Sequence, residues 1–321
     1  MIIRNNTLSL QELGKRSNQE DSIYPLLTGT GYVSSDLYIL CDGMGGHDCG
    51  EVASQNTCIA MSEYVLSHQR EDGYFDEEDF NAALDAAFDR LDSLDNPQSE
   101  KKMGTTLTFL KFHRGGAFIA HIGDSRIYHI RPSGKKILHV TRDHSLVNDL
   151  IQLGELTPEE AKSSKQKNII TRAIQPNQER RTKADCLNIT DVREGDYFYM
   201  CSDGMLEVSE DEEIRNVICM HLRTDAQKLA ILKNVTKDNS DNHSAHLIHI
   251  TSIQGESADV NAESVFRDSD ELQRIFKEAP QAAKPVLKLK FAAMVFPDQI
   301  SDEAFGTSLD ELTKTLGADD L

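Results

Sequence analysis

The sequence predicts an α+β protein in which helix pairs pack on an antiparallel β core. Three observations predict it. Short runs rich in apolar and β-branched residues recur along the chain, several are joined by turns too short for a helical crossover, and helical periodicities occur in neighbouring pairs instead of alternating with strands. A doubly wound parallel sheet is the arrangement this excludes.

In chain order, residues 37–41 form an apolar run bounded by polar segments. Ala53, Thr57, Ala60, Met61 and Tyr64 then fall on one helical face. Phe80, Ala83, Leu84, Ala87, Phe88 and Leu91 fall on another, spaced i, i+3, i+4, i+7, i+8 and i+11. These two helices are expected to lie together on one sheet. Strands follow at 105–112, 117–122, 126–130 and 136–141, with His113-Arg114-Gly115-Gly116 and Pro132-Ser133-Gly134 as the hairpin turns. Further strands are expected at 197–201 and 245–251, and helices at 210–221 and 225–236, the last read from its uninterrupted helix formers. No repeat of fixed period occurs.

The patterned region stops near Thr251, which divides the chain into a domain over 1–251 and an acidic extension over 252–321. The extension has a net charge of −7 against −12 for the rest. Leu272, Ile275, Phe276 and Ala279 have helical spacing, Leu287-Lys288-Leu289-Lys290-Phe291 alternates like a strand, and Ser308-Leu309-Asp310-Glu311 fits a capping box. The extension is therefore expected to be partly foldable, as a subdomain or on a protein partner.

With 39% hydrophobic residues in 321, the chain can fill a sizeable core, and its net charge of −19 is opposite in sign to a nucleic-acid-binding surface. Residues 1–10 lack the apolar stretch of a secretory signal and no run approaches a membrane span, so a soluble cytoplasmic protein is expected. The six cysteines are widely spaced with no CxxC, which favours reduced, mostly buried thiols.

The chemistry is signalled by aspartates at the ends of apolar runs. Leu37-Tyr38-Ile39-Leu40-Cys41 leads into Asp42-Gly43-Met44-Gly45-Gly46, and Tyr197-Phe198-Tyr199-Met200-Cys201 leads into Ser202-Asp203-Gly204. Asp124 follows Gly123, and Asp238-Asn239-Ser240-Asp241-Asn242 precedes the last strand. One Asp-Gly is a turn signal. Several strand-end carboxylates without histidine or cysteine partners suit Mg²⁺ or Mn²⁺, because converging carboxylates repel unless a cation lies among them.

Eight blocks occur in a definite order: Arg16-Ser17-Asn18-Gln19-Glu20-Asp21-Ser22, Asp42-Gly43-Met44-Gly45-Gly46, Gly104-Thr105-Thr106, Gly123-Asp124-Ser125-Arg126, Asp143-His144-Ser145, Thr171-Arg172-Ala173, Ser202-Asp203-Gly204 and Asp241-Asn242-His243-Ser244. In this the chain resembles the bacterial branch of the metal-dependent protein serine/threonine phosphatases of type 2C, over roughly residues 8–251. The resemblance implies two antiparallel sheets packed as a sandwich with helix pairs on the outer faces. It implies two Mn²⁺ or Mg²⁺ ions bridged by Asp42, with the Gly43 carbonyl on one and Asp203 and Asp241 on the other. By the same resemblance Glu20 and Asp21 hold metal-bound waters, Arg16 grips the substrate phosphate, and Asp124 with Asp203 holds a third, weaker ion. The implied activity is hydrolysis of phosphoserine and phosphothreonine in phosphoproteins, opposing a Ser/Thr kinase.

Some positions depart from the family or stay open. Met44 stands where animal members place an acid-donating histidine, so the general acid is unassigned; His47 reads as a surface or capping residue. Asp238 and Asp241 both fit the last metal position, and Asp241 has the better continuation. Residues 144–170 correspond to a flap beside the site, with a short helix expected to start at Thr157-Pro158. The competing reading is a catalytically weak or inactive regulatory or binding module of the same fold, acting through its C-terminal extension, but no metal aspartate is missing.

Overall fold

The computed structural model describes residues 1–26, 31–44, 49–95, 102–164, 166 and 169–254. His47, Gly45, Gly46 and the helical and strand segments expected after residue 254 lie outside the described residues.

The strands are β1 (Ile2–Glu12), β2 (Asp21–Tyr24), β3 (Leu37–Met44), β4 (Gly104–Thr105), β5 (Leu107–His113), β6 (Gly116–Ile122), β7 (Arg126–Arg131), β8 (Lys136–Val140), β9 (Asp185–Ile189), β10 (Tyr197–Cys201) and β11 (His243–Gln254). The helices are α1 (Cys49–Ser67), α2 (Glu77–Leu94), α3 (Leu146–Gln152), α4 (Pro158–Ser163), α5 (Asp211–Ile218) and α6 (Asp225–Thr236). One sheet has the order β1-β11-β10-β7-β8; the other has β2-β3-β5-β6-β9, with β4 also paired to β3. All pairings are antiparallel.

Alternation along β3 builds the layers. Leu37, Ile39 and Cys41 face a cluster with Phe80, Phe88 and Leu91 of α2 and Met61 of α1, whereas Tyr38 and Leu40 face Phe198, Met200 and Ile248 of the other sheet. Beyond that sheet, Tyr199 and Leu247 pack with Ile214, Ile218 and Leu232 of α5 and α6. The result is an α-β-β-α sandwich. All six periodic residues of α2 are buried.

The expected strand 105–112 divides at Thr106 into β4 and β5. Thr106 leaves the ladder because its N–H donates to the Asp42 carbonyl at 2.8 Å and its Oγ1 accepts from Asp42 N–H at 3.0 Å. The helix expected over 210–221 ends at Ile218, where Cys219 N–H closes the last turn onto Arg215. β11 continues to Gln254, past Thr251, because Ile253 pairs with Ile3 and packs on the inter-sheet core. Thr157 caps α4 in a capping box with Glu160. All six cysteines are free, and among the described residues no helix is long and apolar enough to cross a membrane.

Candidate metal centre

The two sheets end together at a cluster of carboxylates. Asp21, at the start of β2, stands directly across the ladder from Asp42 on β3. The end of β3 is fastened from both sides: Thr105 Oγ1 donates to the Asp42 carbonyl at 2.9 Å, and Gly43 N–H donates to the Glu20 carbonyl at 3.1 Å. A Cβ on Gly43 would lie 2.2 Å from the Gly50 carbonyl oxygen, so only glycine lets the first turn of α1 press against the strand.

The other sheet supplies the opposing groups. Asp203 follows β10, and the preceding Ser202 donates from Oγ to Asp21 Oδ2 at 2.9 Å, a bond between the sheets. Asp241 and Asn242 immediately precede β11. Asn242 accepts from Glu20 N–H at 2.8 Å and donates to the Leu13 carbonyl at 2.8 Å, which holds the segment carrying Arg16 and Glu20 against the site. Arg16 Nη2 donates to Asp241 Oδ2 at 2.7 Å, with half of its side chain exposed. Asp124 lies in the turn between β6 and β7, next to Ser125, whose Oγ is 2.8 Å from Thr106 Oγ1.

The electrostatics follow from packing like charges out of water. Burial, then neighbouring Asp203 and Asp241, pushes the Asp21 carboxyl up to about 7 against the hydrogen bond from Ser202. Asp124 is pushed up to about 7 by burial and by Asp203 and Asp143. Asp42 is raised well above the carboxylate range by burial and by Asp21, Asp203 and Asp124, and burial also raises Asp203. Asp21 Oδ1, Asp124 Oδ1 and Asp203 Oδ1 are buried without a hydrogen-bond partner. Mutually repelling, partly unpartnered carboxylates fit hard divalent cations such as Mg²⁺ or Mn²⁺.

The structure therefore brings together Asp21, Asp42, Asp124, Asp203 and Asp241, with Arg16 and Glu20 at the margin and the Gly43 backbone among them. Asp238 is exposed, whereas Asp241 faces Asp21 and Asp203. Met44 ends β3 across from Gly104. The positioning groups Thr106, Ser202 and Asn242 occur in the ordered sequence blocks, but nothing in those blocks identifies their partners, which lie 64, 181 and 222 residues away.

Fold and site together define a class: an α-β-β-α sandwich with a cluster of buried carboxylates where its two sheets meet. A family model described as protein phosphatase 2C matches residues 17–243. The chain belongs to the protein phosphatase 2C family, whose members are hydrolases. It is 35% identical over 204 residues to protein phosphatase PhpP of Streptococcus pneumoniae, covering 64% of this chain and 80% of that one. It is 36% identical over 204 residues to the serine/threonine protein phosphatase PstP of Mycobacterium tuberculosis, covering 62% of this chain and 36% of that one. The crystal structure of the M. tuberculosis phosphatase PstP/Ppp superposes with a TM-score of 0.65 at 29% identity, over 78% of this chain and all of that one. The PstP catalytic domain in complex with two manganese ions superposes with a TM-score of 0.62 at 27% identity, over 78% and 100% of the two chains.

Proposed function

We propose that this protein removes phosphate from phosphoserine and phosphothreonine in phosphoproteins, opposing a Ser/Thr kinase, at a centre that holds two Mn²⁺ or Mg²⁺ ions. The observation that carries the reading is the set of buried, mutually repelling aspartates at the sheet ends, three of which present unpartnered oxygens. Asp42 would stand between the two ions, with the Gly43 carbonyl on one and Asp203 and Asp241 on the other. Glu20 and Asp21 would hold ion-bound waters, and Asp124 with Asp203 a third, weaker ion. When bound, such ions neutralise charge and supply an activated water for attack on phosphorus.

This chain's own residues do the rest. Thr105, Thr106 and the Glu20 carbonyl hold the Asp42–Gly43 backbone in one place. Ser202 donates to Asp21 Oδ2 and so keeps that oxygen aimed at the other sheet. Arg16 offers an exposed, planar, permanently charged fork, suited to phosphate oxygens, that exchanges Asp241 for the substrate. Burial raises the Cys41 and Cys201 thiols, the reverse of what a cysteine nucleophile needs. Attack by water without a covalent phosphoenzyme agrees with that.

The test is hydrolysis of a phosphopeptide and of an aryl phosphate by the purified protein with Mn²⁺. Asp42→Ala is expected to lose activity about a hundredfold or more. An inactive wild type, or an Asp42→Ala variant as active as wild type, overturns the proposal.

A further inference from the structure

Behind the turn that carries Asp124, His121, His144 and Asp185 bring ring-nitrogen and carboxylate oxygen atoms within 4.8 Å of one another. The hydrogen bonds decide what this group does. Gly123 N–H donates to His144 Nδ1 at 3.1 Å, so Nδ1 carries the lone pair and the neutral ring keeps its proton on Nε2. Nε2 lies 3.1 Å from Asp185 Oδ2 and 3.3 Å from Arg172 Nη1; the nearer carboxylate takes the Nε2 proton, and Arg172 donates to Asp185 Oδ1 at 2.7 Å. A metal on Nε2 would displace that proton to Nδ1, where it would confront the Gly123 N–H. His144, Asp185 and Arg172 therefore form a hydrogen-bonded relay, with His121 stacked on His144 and bonded through Nε2 to the Arg142 carbonyl, and not a metal site.

The other end of the relay is the informative one. His144 N–H donates to the Gly123 carbonyl at 2.9 Å, so one residue satisfies both backbone groups of Gly123. Gly123 has a φ of +101°, and a Cβ there would lie 2.6 Å from Thr106 Cγ2, so the turn is pressed onto Thr106 while His144 grips it from behind. His144 is buried and its ring stacks on His121 with centroids 4.5 Å apart and planes 14° apart. Burial also lowers its pKa, which keeps the ring neutral and Nδ1 an acceptor. The next residue along the turn is Asp124, whose Oδ1 is buried and unpartnered.

We infer that His144 is a positioning residue: through its two bonds to Gly123 it sets where the Asp124 carboxylate stands, while Asp185 holds its ring in the tautomer that makes this possible. The inference rests on the reading that Asp124 holds the weaker ion. In Asn the Oδ1 atom sits close to the place of His Nδ1 and can still accept from Gly123 N–H. Gln reaches toward the place of Nε2 and meets Asp185 instead.

The experiment is calorimetric titration of the full, chelator-treated chain with Mn²⁺, comparing wild type, His144→Asn, His144→Gln and Asp124→Asn, each checked for folding by its melting temperature. His144→Gln is expected to weaken the low-affinity class of sites about tenfold and leave the tight class alone, while His144→Asn stays within about twofold of wild type. Equal affinities in both His144 variants, changed or unchanged, overturn the inference. A tenfold loss in folded His144→Asn overturns it even if His144→Gln does not fold. Asp124→Asn should abolish the low-affinity class; if it does not, the assignment of an ion to Asp124 fails whatever the His144 variants do.

Discussion

At the scale of single residues, the carboxylate cluster ties stability to pH and to cations. Asp21 and Asp124 keep their protons up to about 7 in the folded chain, whereas an unfolded aspartate loses its proton near 4. Between those limits the folded state binds more protons than the unfolded state, so stability falls as pH rises through that window and levels off above it. Below it both states are protonated and the two groups contribute nothing. Cations that bind only the folded protein offset the repulsion and add stability by mass action. The chelator-treated protein should therefore melt several degrees lower at about pH 7.5 than at about pH 5, on the scale of roughly 2–4 °C per kcal/mol for a domain of this size. Mn²⁺ should raise the melting temperature more at the higher pH. Differential scanning calorimetry checks both, and an Asp124→Asn variant should flatten part of the slope; a variant with the wild-type slope would remove Asp124 from the explanation.

At the scale of elements, α2 shows how a local signal becomes a packed layer. Asp76 accepts from Glu78 N–H at 2.9 Å and Asp79 N–H at 3.2 Å, while Asp79 accepts from Asp76 N–H at 3.1 Å, so three of the amides left free at the helix start are satisfied. Asp76→Ala should cost about 1 kcal/mol, or roughly 2–4 °C in melting temperature, with activity retained because α2 packs against α1 and its sheet and not against the carboxylates. Asp76→Ser should restore most of the loss. A helix like this is legible in sequence because its buried face is wholly apolar. β1 is not, because the face it turns between the sheets is polar: Thr7 Oγ1 donates to Tyr38 OH at 2.7 Å, Tyr38 OH donates to Asn5 Oδ1 at 2.7 Å, and Ser9 Oγ lies 2.6 Å from His246 Nδ1. Those side chains satisfy one another across strands, which hides the period-2 pattern. β9 is hidden for another reason, being an edge strand paired only with β6 and largely exposed. In the site the aspartates are legible as chemistry at the ends of apolar runs. The groups that aim them, Thr106, Ser202, Asn242 and His144, look like ordinary polar residues until the fold closes distances of 21 to 222 residues.

At the scale of the whole molecule, charge and boundary meet in one prediction. The chain carries −19, yet its acids are not one uniform field: residues 252–321 carry −7, and several of the remainder converge where divalent cations with Arg16 would make a small region attractive to phosphate. The compact unit runs Met1–Gln254, the family match ends at residue 243, and the last rung of the β1–β11 ladder pairs Ile2 with Gln254. A chain ending at Gly255 keeps every strand of both sheets and every carboxylate of the cluster. Deleting residues 256–321 should therefore leave hydrolysis of a small aryl phosphate with Mn²⁺ within about twofold of the full chain, since under the proposed function the aryl substrate would need only the cluster and Arg16. A phosphoprotein substrate reports on something else: if the extension engages a protein partner, its loss lowers kcat/KM for that partner alone, without altering the aryl phosphate rate. Loss of soluble folding on truncation would instead show that the extension belongs to the core, and the boundary near residue 251 would have to be abandoned.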